Sequence, residues 1–292
     1  MDRLSHIRVV LVEPAGPLNV GSVARVMKNL GLKQLVLVNP QCNPVGGAAR
    51  LMAVRGVDLL QAAQVVPSLA EALQDCRRVV ATTGRDRTAL STPLEPPRRA
   101  LPWLVPPTGG AAAIVFGRED SGLSNDELNL AQRWLHIPSS DDYASLNLAQ
   151  AVAICCYELS LAAIDDERHR DPPAALEAAP PSLSATSLAA SLSEPLAPRQ
   201  QLEQYFADLQ NLLLHTGYLQ PHTAHSRMEK LRQLVNRAYP TESEMALLRG
   251  MVRQGRWALH QHPDALPRVN AAPPGPTPDN PPAQLSADLD DP

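Results

Sequence analysis

Residues 7–31 read IRVVLVEPAGPLNVGSVARVMKNLG. The run from Ile7 to Val12 is almost continuously apolar and β-branched. A strand that is covered on both faces, as in a parallel sheet, has this pattern; a half-exposed strand alternates. The segment that follows predicts a helix capped by Asn19 and ended by Gly31. At about 100° per residue, Val20, Val23, Val26, Met27 and Leu30 share one face, and Arg25 points away beside Gly21 and Lys28. An amphipathic helix with a solvated arginine accounts for Arg25. It leaves Gly21 unexplained, because glycine inside a helix costs ~1 kcal/mol relative to alanine. A side chain missing next to a cation leaves room for a ligand backbone or a phosphate.

Further β-branched runs follow at 35–38, 78–83, 112–116 and 134–138, with helical stretches between them. Ser68 with Glu71 and Ser124 with Glu127 have the spacing of capping boxes. This alternation over residues 1–165 predicts an open α/β domain with a parallel sheet. Residues 166–199 turn to Pro, Ala and Ser and read as a linker. Residues 200–262 are helical in pattern, with a further capping box at Thr241 and Glu244, and 263–292 read as a disordered tail.

Composition narrows the function. Of 292 residues 44% are hydrophobic but only 3% aromatic, so the core is aliphatic and stacking platforms for single-stranded nucleic acid are disfavoured. Basic and acidic residues balance over 1–165, and the net charge of −4 arises in the linker and tail. Bulk charge argues neither for nor against a nucleic-acid partner; the local pairs Arg77 with Arg78, Arg85 with Arg87 and Arg98 with Arg99 are candidates for a nucleic-acid-facing patch, with solvated surface charge as the alternative. The four cysteines form no CxxC pair, which argues against a zinc site and for reduced thiols in a cytoplasmic protein. No metal site is expected; His215, His222 and His225 read as solvated histidines of a helix connection. The N-terminus carries no targeting signal. The apolar helix around 146–164 is interrupted by Asn147, Gln150 and Glu158 and is not expected to span a membrane.

Two more stretches bear chemistry. IVFGREDSGLSNDE (114–127) runs from a buried strand through Gly117 and a polar loop into a capped helix. Ligands in open α/β sheets sit at the carboxyl ends of strands, where this loop lies. No G-x-G-x-x-G follows any strand and there is no Walker sequence, so nicotinamide and nucleoside triphosphate binding are disfavoured. IPSSDDYASLNLAQAVAICCYEL (137–159) places Ser145, Leu146 and Asn147 at the mouth of a long helix, where Ser145 or Asn147 caps it or its backbone amides cradle an adenine or a carboxylate. In a parallel sheet, Thr82, Thr83 and Gly84 end a strand near both loops.

Taken together, Asn19, Gly21, Ala24 and Arg25, then Phe116, Gly117, Glu119, Gly122 and Leu123, then Ile137, Pro138, Ser145, Leu146, Asn147 and Ala151 resemble, in order and spacing, the three motifs of the SpoU branch of the SPOUT RNA methyltransferases. The segment LRQLVNRAYPTESEMALLRGMVRQ resembles the helical extension of those members that methylate the ribose of nucleotide 32 in the tRNA anticodon loop. The resemblance implies a deep trefoil knot at the end of the α/β domain, S-adenosylmethionine as cofactor, tRNA as substrate and a homodimer. It assigns the cofactor pocket to Thr82, Thr83, Gly84, Gly117, Ile137, Ala144, Ser145, Leu146 and Asn147. It assigns catalysis to Arg25, Asn19, Glu119, Ser145 and Asn147. A guanidinium stays protonated at any ordinary pH and makes a poor base. Arg25 therefore fits better as a phosphate grip that positions the ribose and stabilises its developing alkoxide, in its own subunit or across a dimer. Asn19 would orient it, and Glu119 would fix the loop or pair with it. Methylation of ribosomal RNA or of another tRNA position, and a knotted RNA-binding protein without turnover, are the rival readings.

Overall fold

A computed structural model of the chain describes residues 3–84, 93–106, 110–140, 142, 145–170 and 194–261. Ala144, the pair Arg85 and Arg87, residues 171–193 of the expected linker and the expected tail lie outside them.

Among the described residues, seven strands form one wholly parallel sheet. They are β1 (Ile7–Val12), β2 (Gln34–Val38), β3 (Gln64–Val66), β4 (Cys76–Thr82), β5 (Leu94–Glu95), β6 (Ala111–Phe116) and β7 (Arg133–Leu135), in the order β3-β2-β1-β6-β4-β7-β5. The five runs read from sequence are all strands. β3 and β5, at three and two residues, are too short to show a pattern.

The continuous apolar runs are explained by two cores, one on each face. Ile7, Val9, Leu11, Ile114 and Phe116 point into the first, and Val10, Val12, Val79, Ala81, Ala113 and Val115 into the second. The period of two persists, but both faces are covered. The first core is roofed by α1 (Pro17–Asn29), α2 (Gly47–Ala53), α3 (Val57–Ala62) and α7 (Leu148–Arg170). The second is roofed by α4 (Leu69–Leu73) and α6 (Asn125–Leu128), while α5 (Pro97–Ala100) and a 3-10 turn (Leu101–Leu104) lie beside the first. Both capping residues act as expected: Ser68 accepts from the Glu71 amide, and Ser124 and Glu127 complete a reciprocal box.

Two expectations for α1 are corrected. Asn19 is not its cap: Gly16 holds that position, with Pro17 as the first helical residue, which suits proline because its missing N–H has no helical partner there. Gly21 is not open to solvent or to a phosphate. A Cβ on it would lie 2.1 Å from the Ala49 carbonyl oxygen, so the glycine lets α1 and α2 touch through their backbones.

In α7, Leu148, Val152, Cys155, Cys156 and Leu159 form the buried stripe. Despite Gln150 and Glu158, its first nineteen residues are apolar enough to cross a bilayer by length and composition, with a mean hydropathy of 1.4. The buried stripe gives it the seat of a core helix. Its other face exposes Ile154, Tyr157 and Ile164.

The C-terminal helices α8 (Arg199–His215), α9 (Ala224–Ala238) and α10 (Glu242–Gln261) enclose a third core around Leu202, Phe206, Met228 and Met245. Thr241 and Glu244 cap α10 reciprocally. Polar contacts dock this unit on the sheet. Asn129 donates to Glu229 and accepts from Asn236, each at 3.1 Å, and Arg77 pairs with Glu242 at 2.6 Å. Arg133 donates to the Tyr239 hydroxyl at 3.2 Å, while within the α/β domain Arg78 donates to the Trp103 carbonyl. Arg77 and Arg78 are thus structural rather than a nucleic-acid-facing patch, whereas Arg98 and Arg99 stand out on the surface at 84% and 80% exposure.

Candidate active site

The register of the sheet sets the location. Thr82 of β4 lies opposite Leu135 of β7, Ala81 opposite Val115 of β6, and Leu11 of β1 opposite Phe116. Four strands therefore end side by side, and the loops leaving them converge. A cavity of about 390 Å³ opens there, lined by Thr82, Thr83, Gly84, Gly117, Glu119, Ile137, Ser145 and Leu146 among others. These eight come from three separate stretches of sequence. The lining also includes Phe116, Arg118, Leu135, Leu148 and Ala151, which the sequence alone does not assign to it.

Local hydrogen bonds fix the walls. The Thr82 hydroxyl donates to the Val115 carbonyl, tying β4 to β6. The Thr83 amide donates to Leu135 and its carbonyl meets His136 Nδ1 at 3.1 Å. Gly117 lies so close to the far side of its own loop that a Cβ would sit 2.3 Å from the Gly122 carbonyl carbon, so only glycine closes this turn.

The three motifs are joined by a relay. Glu119 Oε1 accepts from Asn19 Nδ2 at 3.1 Å and from the Gly16 amide at 3.0 Å, and Oε2 accepts from the Ala15 amide at 3.1 Å. Asn19 Oδ1 accepts from Asn147 Nδ2 at 3.0 Å, and Asn147 Oδ1 accepts from the Ala149 amide at 2.9 Å. Each amide has one orientation that satisfies this chain, since the carboxylate only accepts and the helix amide only donates. Asn147 rather than Ser145 is thereby the cap of α7. Burial raises the pKa of Glu119, but the hydrogen bonds from Asn19, Ala15 and Gly16 outweigh it and hold the group below the usual carboxylate range. Glu119 is therefore an anion at neutral pH and a weak base.

Not every assigned residue reaches the cavity. Asn19 and Asn147 buttress it from behind through Glu119, and neither lines it. Arg25 is exposed on α1 and lies outside the lining, and Glu119 bonds to Asn19 rather than to Arg25.

Residues 6–157, with this sheet and cavity, match the model of the SpoU rRNA Methylase family. The chain belongs to the SpoU methylase family. Within it, residues 200–263 match the model of the C-terminal domain of the tRNA methyltransferase TrmJ. A curated relative from Pseudomonas aeruginosa, the tRNA (cytidine/uridine/adenosine-2'-O-)-methyltransferase TrmJ, is 38% identical over 253 residues, 86% of this chain and 94% of the relative. The tRNA (cytidine/uridine-2'-O-)-methyltransferase TrmJ of Cronobacter sakazakii is also 38% identical, over 85% of this chain and 95% of its own. Among solved structures, TrmJ from Z. mobilis superposes with a TM-score of 0.69 at 31% identity, covering 85% of this chain and 97% of that one. The protein thus combines a SpoU methylase catalytic domain with a TrmJ-type helical extension.

Proposed function

We propose that this SpoU methylase transfers a methyl group from S-adenosylmethionine to the 2′-oxygen of a pyrimidine ribose at position 32 of tRNA, acting as a cytoplasmic homodimer with a trefoil knot in its α/β domain. The observation that carries this reading is the single cavity in which the end of β4 meets the second and third motif loops, with the first motif tied to its wall through Asn19 and Glu119. The residues present fit the cofactor. Leu135, Ile137 and Leu146 offer apolar surface for an adenine, and the small residues Gly84 and Gly117 keep backbone amides accessible. The anionic Glu119 in the lining suits a cationic sulfonium.

S-adenosylmethionine supplies an electrophilic methyl group when bound. What remains for the protein is alignment and charge. Holding two reactants in one geometry is worth as much as ~7–11 kcal/mol of barrier. The Glu119–Asn19–Asn147 relay provides that rigidity by locking the wall of the cavity to the first turns of α1 and α7. Arg25, exposed and outside the lining, is free to grip an RNA phosphate and stabilise oxyanion charge on the ribose, reaching the cavity of a second subunit. Ser145, exposed and in the cavity lining, would touch either ligand.

Two observations support the further parts. The match of residues 200–263 to the TrmJ C-terminal domain favours tRNA over ribosomal RNA. The exposed apolar side chains Ile154 and Tyr157 on α7, with Leu18 on α1 and Leu51 on α2, lie on helices packed against one another and favour a second copy as their cover. Mapping ribose methylation across the RNA of cells with and without this protein tests the assignment. A single tRNA position should lose its methyl group; loss confined to ribosomal RNA, or no loss, refutes it.

A further inference from the structure

Arg118 lies beside Glu119 and lines the same cavity, yet its guanidinium is occupied entirely by protein. Nε donates to Glu13 Oε2 at 2.6 Å. The two terminal nitrogens donate to the two carboxylate oxygens of Glu127, at 3.0 Å each. Glu127 accepts from the Ser124 amide at 2.7 Å and belongs to the capping box of α6. Glu13, at the end of β1, holds a left-handed backbone (φ 46°) and accepts from Asn39. The backbone of Arg118 also accepts from the Gly122 amide at 3.0 Å, closing the loop on itself.

Arg118 and Glu119 thus form a two-sided fastening. One reaches Glu13 and Glu127, and the other reaches Ala15, Gly16 and Asn19. Between them the loop is tied to the segment after β1 and to its own exit helix. The hydrogen bonds that Arg118 donates to Glu127 and then to Glu13 raise the Arg118 pKa, and the one Glu13 accepts from Arg118 lowers the pKa of Glu13, so the clamp is fully charged at neutral pH. A bidentate fork between two carboxylates is a geometry that arginine meets and lysine does not.

We propose that Arg118 is a positioning residue for the cofactor, holding the 117–122 loop closed through Glu127 and Glu13 before any ligand arrives. This rests on the reading of the cavity as the S-adenosylmethionine site. Three full-length variants test it: Arg118→Gln, Arg118→Lys and Glu127→Gln. Amide hydrogen exchange over residues 117–124 in the ligand-free protein should quicken by roughly tenfold in each, because loop opening no longer breaks the clamp. The dissociation constant for S-adenosylhomocysteine, measured by calorimetry without RNA, should rise by roughly tenfold, by analogy with the loss seen when the hydrogen-bond partner behind a metal ligand is removed. Lysine should not rescue. At saturating cofactor, kcat should stay within about threefold, as expected when only uniform binding is lost.

Unchanged loop exchange in Arg118→Gln and Glu127→Gln overturns the clamp. So does full rescue by lysine, or a fall in kcat with cofactor affinity intact, which would make Arg118 a group that acts on the reacting atoms. Should Arg118→Gln fail to fold, Glu127→Gln carries the same comparison. If the unaltered protein bound no S-adenosylhomocysteine, the reading of the cavity would fail, while the exchange measurement would still decide the clamp.

Discussion

Gly21 and Arg25 stand one turn apart on α1 and meet different demands. Gly21 lets a carbonyl of α2 approach, which no side chain permits. Gly21→Ala should therefore destabilise the fold by the ~1–3 kcal/mol typical of overpacking, seen as a lower melting temperature, while cofactor affinity in the folded fraction stays unchanged. Arg25 has the opposite profile. It is exposed, so Arg25→Lys should leave the melting temperature alone. It should cut turnover at least ~10-fold with cofactor binding intact, because the ammonium cannot form the bidentate fork. Near-normal turnover in that variant removes Arg25 from the mechanism. The motif residues Asn19, Glu119 and Asn147 are legible in the sequence as candidates. Their relay is not, because the hydrogen bonds join positions 100 and 128 residues apart, and no local spacing encodes which amide faces which. The purpose of Gly21 is hidden for the same reason: a cation four residues away is visible in sequence and a helix packed from elsewhere is not.

At the scale of elements, the long strands and capped helices follow from local pattern, since a strand buried on both faces needs an unbroken apolar run. β3 and β5 escape because pairing with a neighbour, rather than their own residues, makes them strands. Arg77 and Arg78 mislead in a similar way. Paired arginines suggest a nucleic-acid surface, but here Arg77 pairs with Glu242 of α10 at the seam and Arg78 satisfies the Trp103 carbonyl inside the α/β domain. Other arginines line α10 itself: Arg249, Arg253 and Arg256, beside Asp208 around a hollow of about 380 Å³. A tRNA substrate would use them to neutralise phosphates. Arg249→Glu with Arg253→Glu should weaken tRNA binding and flatten its salt dependence by about 0.7–0.9 log units per decade of salt for each phosphate no longer neutralised, with cofactor affinity unaffected. An unchanged slope would assign α10 another purpose.

For the whole molecule, the helical unit is not loosely tethered. Arg199, only 2% exposed, bonds to Asn236 and Glu203 next to the seam, and the Gln200 amide donates to Gln74 of the α/β domain. The α/β domain and the extension are therefore joined by direct hydrogen bonds and an ion pair. The exposed apolar face of α7 is where the proposed homodimer would form. Tyr157→Asp should convert a dimer to monomers in sedimentation velocity and abolish turnover if Arg25 serves the partner's cavity; active monomers would place Arg25 in its own subunit's reaction. The measurement that bears most directly on the account is nucleoside mass spectrometry of unmodified tRNA incubated with the purified protein and S-adenosylmethionine carrying a labelled methyl group. A labelled 2′-O-methylpyrimidine at position 32 is the predicted product. Label on a base, or no label on tRNA that the protein nonetheless binds, would contradict it.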